Sequence, residues 1–246
     1  MSNADNSSEG ASSASINHNS ATFNLRKEYT EEGIHHDDDE SSLFTDPLKI
    51  FSQWFDHAKT SNVLEPNAMC LATASVTGAP SARYVLLKGF DSNKQPGKFL
   101  WYTNYNSRKA RDLAENPQAA LCFWWGEIER SVRVEGRVEK VTEEESEEYF
   151  FSRPVGARLG AISSNQSEAI ESRALLEDRF DALKKEHLGE NGEEKKTVQR
   201  PPHWGGYCLV PHTIEFWKGR KSRIHDRLSY TYNETEEKWI VERLQP

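Results

Sequence analysis

The sequence predicts an antiparallel β-barrel of the α+β class, mainly β, and three observations carry that prediction. Nine segments alternate apolar and polar residues with a period of two. Turn signals such as Thr77-Gly78-Ala79-Pro80 separate them. The strands do not alternate regularly with helices, as a parallel nucleotide-binding fold would require.

In chain order, folded structure is expected to begin at Asp46-Pro47, an N-cap followed by proline at the first helical position. Leu48, Phe51, Phe55 and Ala58 then repeat at helical spacing up to Lys59. Strands follow over 68–75, 82–88 and 98–103. Asn106-Ser107 caps a short helix carrying Ala110, Leu113 and Ala114, closed by Asn116-Pro117. Strands resume over 119–125 and 128–141, and Thr142-Glu143-Glu144-Glu145 is a capping box that opens a helix through Phe151. A longer helix over about 172–187 places Leu175, Leu176, Phe180 and Leu183 on one face. After a charged loop over 190–200, strands return over 207–210, 213–218, 227–232 and 238–244.

Composition sets the organisation. Residues 1–24 hold 7 Ser and 5 Asn with one aromatic, so they are expected to form a disordered tail. Residues 25–45 form an acidic segment, and 46–246 one barrel domain. Net charge is −8, with 4 Lys or Arg against 11 Asp or Glu in residues 1–60, so nucleic acid is not an expected partner. No run of 18 apolar residues occurs, which argues against a membrane helix. Residues 1–25 carry no Lys or Arg, so neither a secretory nor a mitochondrial leader is expected, and a cytoplasmic location is. Cys70, Cys122 and Cys208 sit in apolar runs without a CxxC spacing and read as buried thiols. His35-His36 beside Asp37-Asp38-Asp39-Glu40 is too sparse for a metal site, and no metal is expected.

Candidate chemistry lies where cations gather beside aromatics and hydroxyls. Arg83-Tyr84-Val85-Leu86-Leu87-Lys88 is a strand with a cation at each end, able to reach two anionic groups. Tyr102-Thr103 leads into Ser107-Arg108-Lys109, cations at a helix start where the dipole opposes them unless an anion is present. Strand alternation predicts that Arg223, His225 and Arg227 share one side, two guanidiniums flanking an imidazole. Tyr149 and Arg153 at a helix end, followed by Gln166-Ser167, form a weaker fourth cluster.

These clusters, with Tyr149-Phe150-Phe151-Ser152-Arg153-Pro154, Trp204-Gly205-Gly206, Glu215-Phe216-Trp217, Arg223-Ile224-His225-Asp226-Arg227 and Arg243-Leu244-Gln245-Pro246, stand in an order that resembles pyridoxine (pyridoxamine) 5′-phosphate oxidases from about Leu25 to the C-terminus. The resemblance implies an FMN-binding split barrel, a homodimer with FMN at the interface. It implies oxidation of pyridoxine 5′-phosphate and pyridoxamine 5′-phosphate to pyridoxal 5′-phosphate, with O₂ reduced to H₂O₂. It assigns Arg83, Tyr84, Val85, Leu86, Leu87, Lys88, Tyr102, Thr103, Arg108, Lys109, Gln166, Ser167, Trp217 and Arg227 to FMN. Lys88, Tyr149, Arg153, Arg223 and His225 would hold substrate, Arg223 and His225 orienting its ring for reaction, with Arg26 and Tyr29 as a lid.

Two places depart from the family pattern. Ser131 stands where a longer Gln is usual. Arg153-Pro154-Val155-Gly156-Ala157 lacks a cation at Val155 and a hydroxyl at Ala157, with Arg158 the candidate to compensate. The alternatives are a split-barrel flavoprotein with another substrate, or a slow paralogue that binds FMN or pyridoxal phosphate.

Overall fold

The computed structural model describes residues 27–29 and 45–246. The expectations for the tail, for Arg26, for His35-His36 and for the acidic run lie outside the described residues.

Helix α1 (Pro47–Thr60) starts as its sequence dictates: Asp46 caps it by accepting the Leu48 N–H, and Pro47 fills the first position. It buries Leu48, Ile50, Phe51, Trp54 and Ala58. The Phe51 ring meets Phe90, Phe99 and Phe123 edge-on at 5.1, 4.9 and 5.2 Å. The strands are β1 (Ala68–Ala74), β2 (Pro80–Leu86), β3 (Gly89–Asp91), β4 (Lys98–Asn104), β5 (Gln118–Trp125), β6 (Arg130–Lys140), β7 (Trp204–Lys218), β8 (Asp226–Asn233) and β9 (Lys238–Arg243). Between them lie α2 (Arg108–Glu115), α3 (Glu143–Ser152), α4 (Val155–Ser163) and α5 (Arg173–His187).

The nine strands among the described residues join one antiparallel sheet in the order β2-β1-β5-β6-β7-β4-β3, with β8 on β7 and β9 on β8. The split is made by β7. Its first half, from Trp204 to Leu209, pairs with β4, and its second half, from Thr213 to Lys218, pairs with β8. β6 pairs with both halves, across a register shift between Glu135 and Gly136. His212 is the extra residue of this bulge, and Pro211 stands beside it opposite Gly136, a place where a strand tolerates proline. That bulge is why the sequence suggests two strands where the structure has one.

Three further expectations are corrected. Lys88 lies beyond the end of β2, its N–H bonded to the Leu100 carbonyl, so strand alternation does not orient it. Helix α4 is an element the sequence reading lacks; Pro154 separates it from α3. The cysteines differ too: Cys208 is buried, Cys70 half-buried and Cys122 exposed, all with free thiols. Cys70 and Cys122 fall on the outward positions of β1 and β5, whose neighbours Met69, Leu71, Leu121 and Phe123 face the core. A smaller apolar cluster of Phe150, Leu159, Val198 and Trp204 ties α3 and α4 to the start of β7.

Candidate active site

A cleft of about 640 Å³ lies between β2, β4, α3 and α4. Its floor is aromatic. Tyr102 and Tyr149 stack at 3.9 Å between centroids, and both lie nearly parallel to Trp204, at 13° and 7°. Tyr102 reaches this position because its strand neighbour is Gly206, where a Cβ would come within 2.8 Å of Tyr102 Cε1.

Cations surround the floor. Arg153 stacks its guanidinium 4.7 Å from the Trp204 ring, and its buried Nη1 has no hydrogen-bond partner among the described residues. Burial draws the Arg153 pKa down. Lys88 Nζ stands 6.0 Å from the Tyr149 ring. Lys109 is 7% exposed, and its Nζ donates to Gln166 Oε1 at 2.6 Å, Thr103 Oγ1 at 3.1 Å and Ser107 Oγ at 3.3 Å. Among the described residues no carboxylate pairs with it. Burial, and then the charge of Arg83, bring its pKa down to about 8.

Arg83 is braced from the sheet: it donates to the Leu71 carbonyl, Thr73 Oγ1 and Ser81 Oγ, with Asp112 at 3.8 Å. Arg108 opens α2 and is exposed, close enough to help lower the Arg83 pKa, behind burial as the main cause. The other wall is the face of α4 bearing Ala157, Gly160, Ala161 and Ser164. Sequence reasoning pointed to Ala157 but missed the rest of this wall and also Asn104, which is buried and donates to the Ser164 carbonyl.

A second group gathers at the far end of β7. Trp217 lies 4.8 Å from the His225 ring and 5.8 Å from Trp124. Tyr29 meets Trp217 and His225 edge-on at 5.7 and 5.4 Å, with the Arg223 guanidinium 5.6 Å from its centroid. His225 Nδ1 accepts the Arg220 N–H at 3.1 Å, which places the proton of the neutral ring on Nε2. Burial, and then the Arg223 charge, lower the His225 pKa. Arg227 grips Glu215 with Nε at 2.9 Å and Nη2 at 3.1 Å, and Arg133 reaches the same carboxylate at 2.6 Å. Trp217, Arg133 and Glu215 line a 270 Å³ hollow with Cys122, Trp124 and Ser131.

The site residues named from the sequence therefore fall into two groups. Tyr84, Val85, Leu86, Lys88, Tyr102, Thr103, Lys109, Tyr149, Arg153 and Gln166 line the large cleft. Tyr29, Trp217, Arg223 and His225 stand together elsewhere. Trp204 and Trp217 mark the separation at opposite ends of the 15-residue β7, on the order of 40 Å of strand at about 3.3 Å per residue. Five more do not line the cleft. Leu87 is buried toward Phe55 and Phe90, Ser167 lines a neighbouring 400 Å³ pocket, and Arg108 faces outward. Arg83 is held within the sheet by Leu71, Thr73 and Ser81, and Arg227 is held by Glu215. The shared strand face expected for Arg223 and His225 is also corrected. Arg223 ends the 3₁₀ turn Lys221–Arg223 with φ of 63°, and β8 begins only at Asp226. Arg158 does not compensate for Val155 and Ala157, because its guanidinium is committed to Glu194 at 2.7 and 3.0 Å.

The curled sheet, split along β7 and flanked by short helices, defines an antiparallel split-barrel protein. Residues 55–186 match the family model described as pyridoxamine 5′-phosphate oxidase. Residues 204–246 match the pyridoxine 5′-phosphate oxidase C-terminal dimerisation region. The chain belongs to the pyridoxamine 5′-phosphate oxidase family. A pyridoxine/pyridoxamine 5′-phosphate oxidase of Trichormus variabilis is 51% identical over 222 residues, 90% of this chain and 97% of that one. One from Burkholderia lata is 52% identical over 209 residues, 85% and 92% of the two chains. Among solved structures, PhzG from Burkholderia lata, in complex with tetrahydrophenazine-1-carboxylic acid, aligns with a TM-score of 0.74 at 28% identity, covering 85% of this chain and 95% of that one.

Proposed function

We propose that this protein is an FMN-dependent oxidase of pyridoxine 5′-phosphate and pyridoxamine 5′-phosphate. The observation that carries the reading is Lys109: a buried ammonium held by three neutral oxygens, with no described carboxylate to offset it. A buried cation without a counter-charge is costly, and an arriving phosphate supplies that charge. The orphaned Arg153 Nη1 makes the same demand across the cleft. Two anion-seeking ends on one aromatic floor fit two phosphate monoesters.

In this reading Arg83, Thr103, Lys109 and Gln166 hold the FMN phosphate, and Lys88, Tyr149 and Arg153 hold the substrate phosphate. The bound FMN would supply the two-electron chemistry, as a hydride acceptor that O₂ reoxidises to give H₂O₂. This chain's own work is orientation. Nε2–H of His225 donates to an acceptor on the substrate ring, and the Arg223 guanidinium fixes the ring's tilt. Trp217 and Arg227 would hold the cofactor from this side, Arg227 while anchored on Glu215. Because the two groups stand apart within one chain, the site is composite: the cleft comes from one copy, and Trp217, Arg223, His225 and Arg227 from the other. The match of 204–246 to a dimerisation region supports this, since it contains all four.

The likeness to PhzG, together with Ala157 on the cleft side of α4, supports a second reading, an oxidase of another substrate on the same scaffold. Relatives at 51–53% identity favour the vitamin phosphates. The deciding experiment supplies FMN-loaded protein with each vitamin phosphate in air. Equal yields of pyridoxal 5′-phosphate and H₂O₂ support the first reading. Flavin-loaded protein that forms neither product sinks it.

A further inference from the structure

Two residues outside the cleft set where Tyr29 rests. Glu129 follows the 3₁₀ turn Gly126–Ile128 with φ of 57° and is 3% exposed. Its carboxylate lies 3.6 Å from Lys218 Nζ and 3.6 Å from Lys27 Nζ. Its carbonyl accepts the Gly219 N–H at 2.9 Å. One residue therefore grips both the strand end that carries Trp217 and the segment that carries Tyr29. An exposed ion pair is weak, but here the acid is buried and the pairing offsets its desolvation.

Gly219 makes the room. A Cβ at this position would come within 2.7 Å of Tyr29 Cδ1 and 3.2 Å of Trp217 Cη2. Only without that carbon does the Tyr29 ring lie edge-on to Trp217 and His225 while the Arg223 guanidinium covers it.

We propose that Glu129 and Gly219 are positioning residues: Gly219 forms a seat and Glu129, through Lys27, a latch that holds Tyr29 against His225 before any ligand arrives. The consequence for catalysis rests on the reading that this group meets the substrate ring. Tyr29 then forms a preformed wall, and its displacement weakens substrate binding while leaving the reacting geometry of bound substrate intact.

The test uses the full-length FMN-loaded protein and two readouts. The first is the rate of chymotryptic cleavage after Tyr29, identified by mass spectrometry as the fragment beginning at Thr30. Gly219→Ala, Glu129→Gln and Lys27→Ala should each speed this cleavage by about threefold to tenfold, the scale of a lost local contact. Lys27 is exposed, so its variant folds even if Glu129→Gln leaves Lys218 poorly compensated. Tyr29→Phe should be cut like wild type, since the seat holds the ring. The second readout is the split between KM and kcat: KM for pyridoxine 5′-phosphate should rise by a similar factor while kcat holds. Wild-type cleavage rates in Gly219→Ala and Lys27→Ala would overturn the proposal, as would faster cleavage with KM unchanged. If wild-type protein oxidises neither vitamin phosphate, the substrate reading fails while the cleavage rates still decide the seat and latch.

Discussion

Lys109 Nζ lies 2.6 Å from Gln166 Oε1, joining the first turn of α2 to the segment after α4 around a buried positive charge. Its lowered pKa, about 8, gives a pH dependence whose sign is fixed. The folded protein penalises the protonated form. That penalty is present below about pH 8 and fades as pH rises toward the ordinary lysine value of 10.5. A bound phosphate reverses it by favouring the ammonium. FMN affinity should therefore be flat below pH 8 and fall above it, by at most about tenfold per unit. Flavin fluorescence quenching at pH 7, 8 and 9 measures this. Lys109→Met should weaken FMN by about 2–4 kcal/mol, flatten the pH profile and leave ligand-free thermal stability unchanged or raised. A steep profile in Lys109→Met would show that another group titrates.

Arg153 and Ala157 sit on the substrate side of the cleft and test the two readings in opposite directions. Arg153→Met should raise KM for both vitamin phosphates by about 2–4 kcal/mol while flavin content stays full, since it removes a charge-assisted partner of the substrate phosphate only. Ala157→Ser places a hydroxyl on the α4 face that lines the cleft. One added hydrogen bond contributes about 0.5–1.5 kcal/mol, so KM should fall roughly twofold to tenfold. Steady-state kinetics on both variants decide; a KM unmoved by Ala157→Ser would place the substrate phosphate away from α4.

How much of this was legible in the sequence depends on how local each signal is. Asp46-Pro47 and the capping box at Thr142 are local, and both are seen as expected. Thr142 Oγ1 accepts the Glu145 N–H at 3.1 Å, and the Glu145 carboxylate accepts the Thr142 N–H at 2.9 Å. Helix α4 has no such signal: no side chain caps it, and Gly156 and Gly160 lower its propensity, which masks the short i, i+4, i+7 pattern of Val155, Leu159 and Ile162. Its cleft wall, Ala157, Gly160, Ala161 and Ser164, becomes visible only once the helix is known. The four cation clusters were legible as clusters, because charge beside aromatics is a local pattern. Their division into two groups was not. It follows from β7 running unbroken from Trp204 to Trp217, a property of strand pairing rather than of any short motif.

Arg223 occupies a left-handed position with φ of 63°, next to Ser222 at 58°. The turn, rather than strand alternation, therefore aims its guanidinium at Tyr29. Arg223→Leu keeps much of the bulk at the same backbone position and removes the charge. Flavin should remain bound, because Arg83 and Lys109, proposed for its phosphate, belong to β2 and α2 and not to the turn that carries Arg223. kcat/KM should fall by on the order of 10²-fold, the cost of misplacing a reacting group by about 1 Å. His225→Asn should lose less, since it retains a hydrogen-bond donor. Loss of flavin from Arg223→Leu would mean that the cofactor and substrate ends are exchanged.

The composite site makes a prediction that no single-chain site shares. Lys109→Met leaves Arg223 intact, and Arg223→Leu leaves Lys109 intact. If each site takes Lys109 from one copy and Arg223 from the other, either variant alone forms dimers with two defective sites. In a mixed dimer, one site receives both altered residues and the other receives neither. Random reassociation makes half the dimers mixed, each with one sound site, so about a quarter of wild-type activity should return. The experiment is to unfold and refold the two impaired variants together, with FMN at a concentration that loads wild type but not Lys109→Met, and to compare the mixture with each refolded alone. Return of activity only in the mixture requires that the cleft and the Trp217 group come from different chains. If the mixture stays inactive while size-exclusion chromatography of differently tagged chains shows mixed dimers, both groups serve the same site within one chain. The separation along β7 would then have to close by a rearrangement of the sheet.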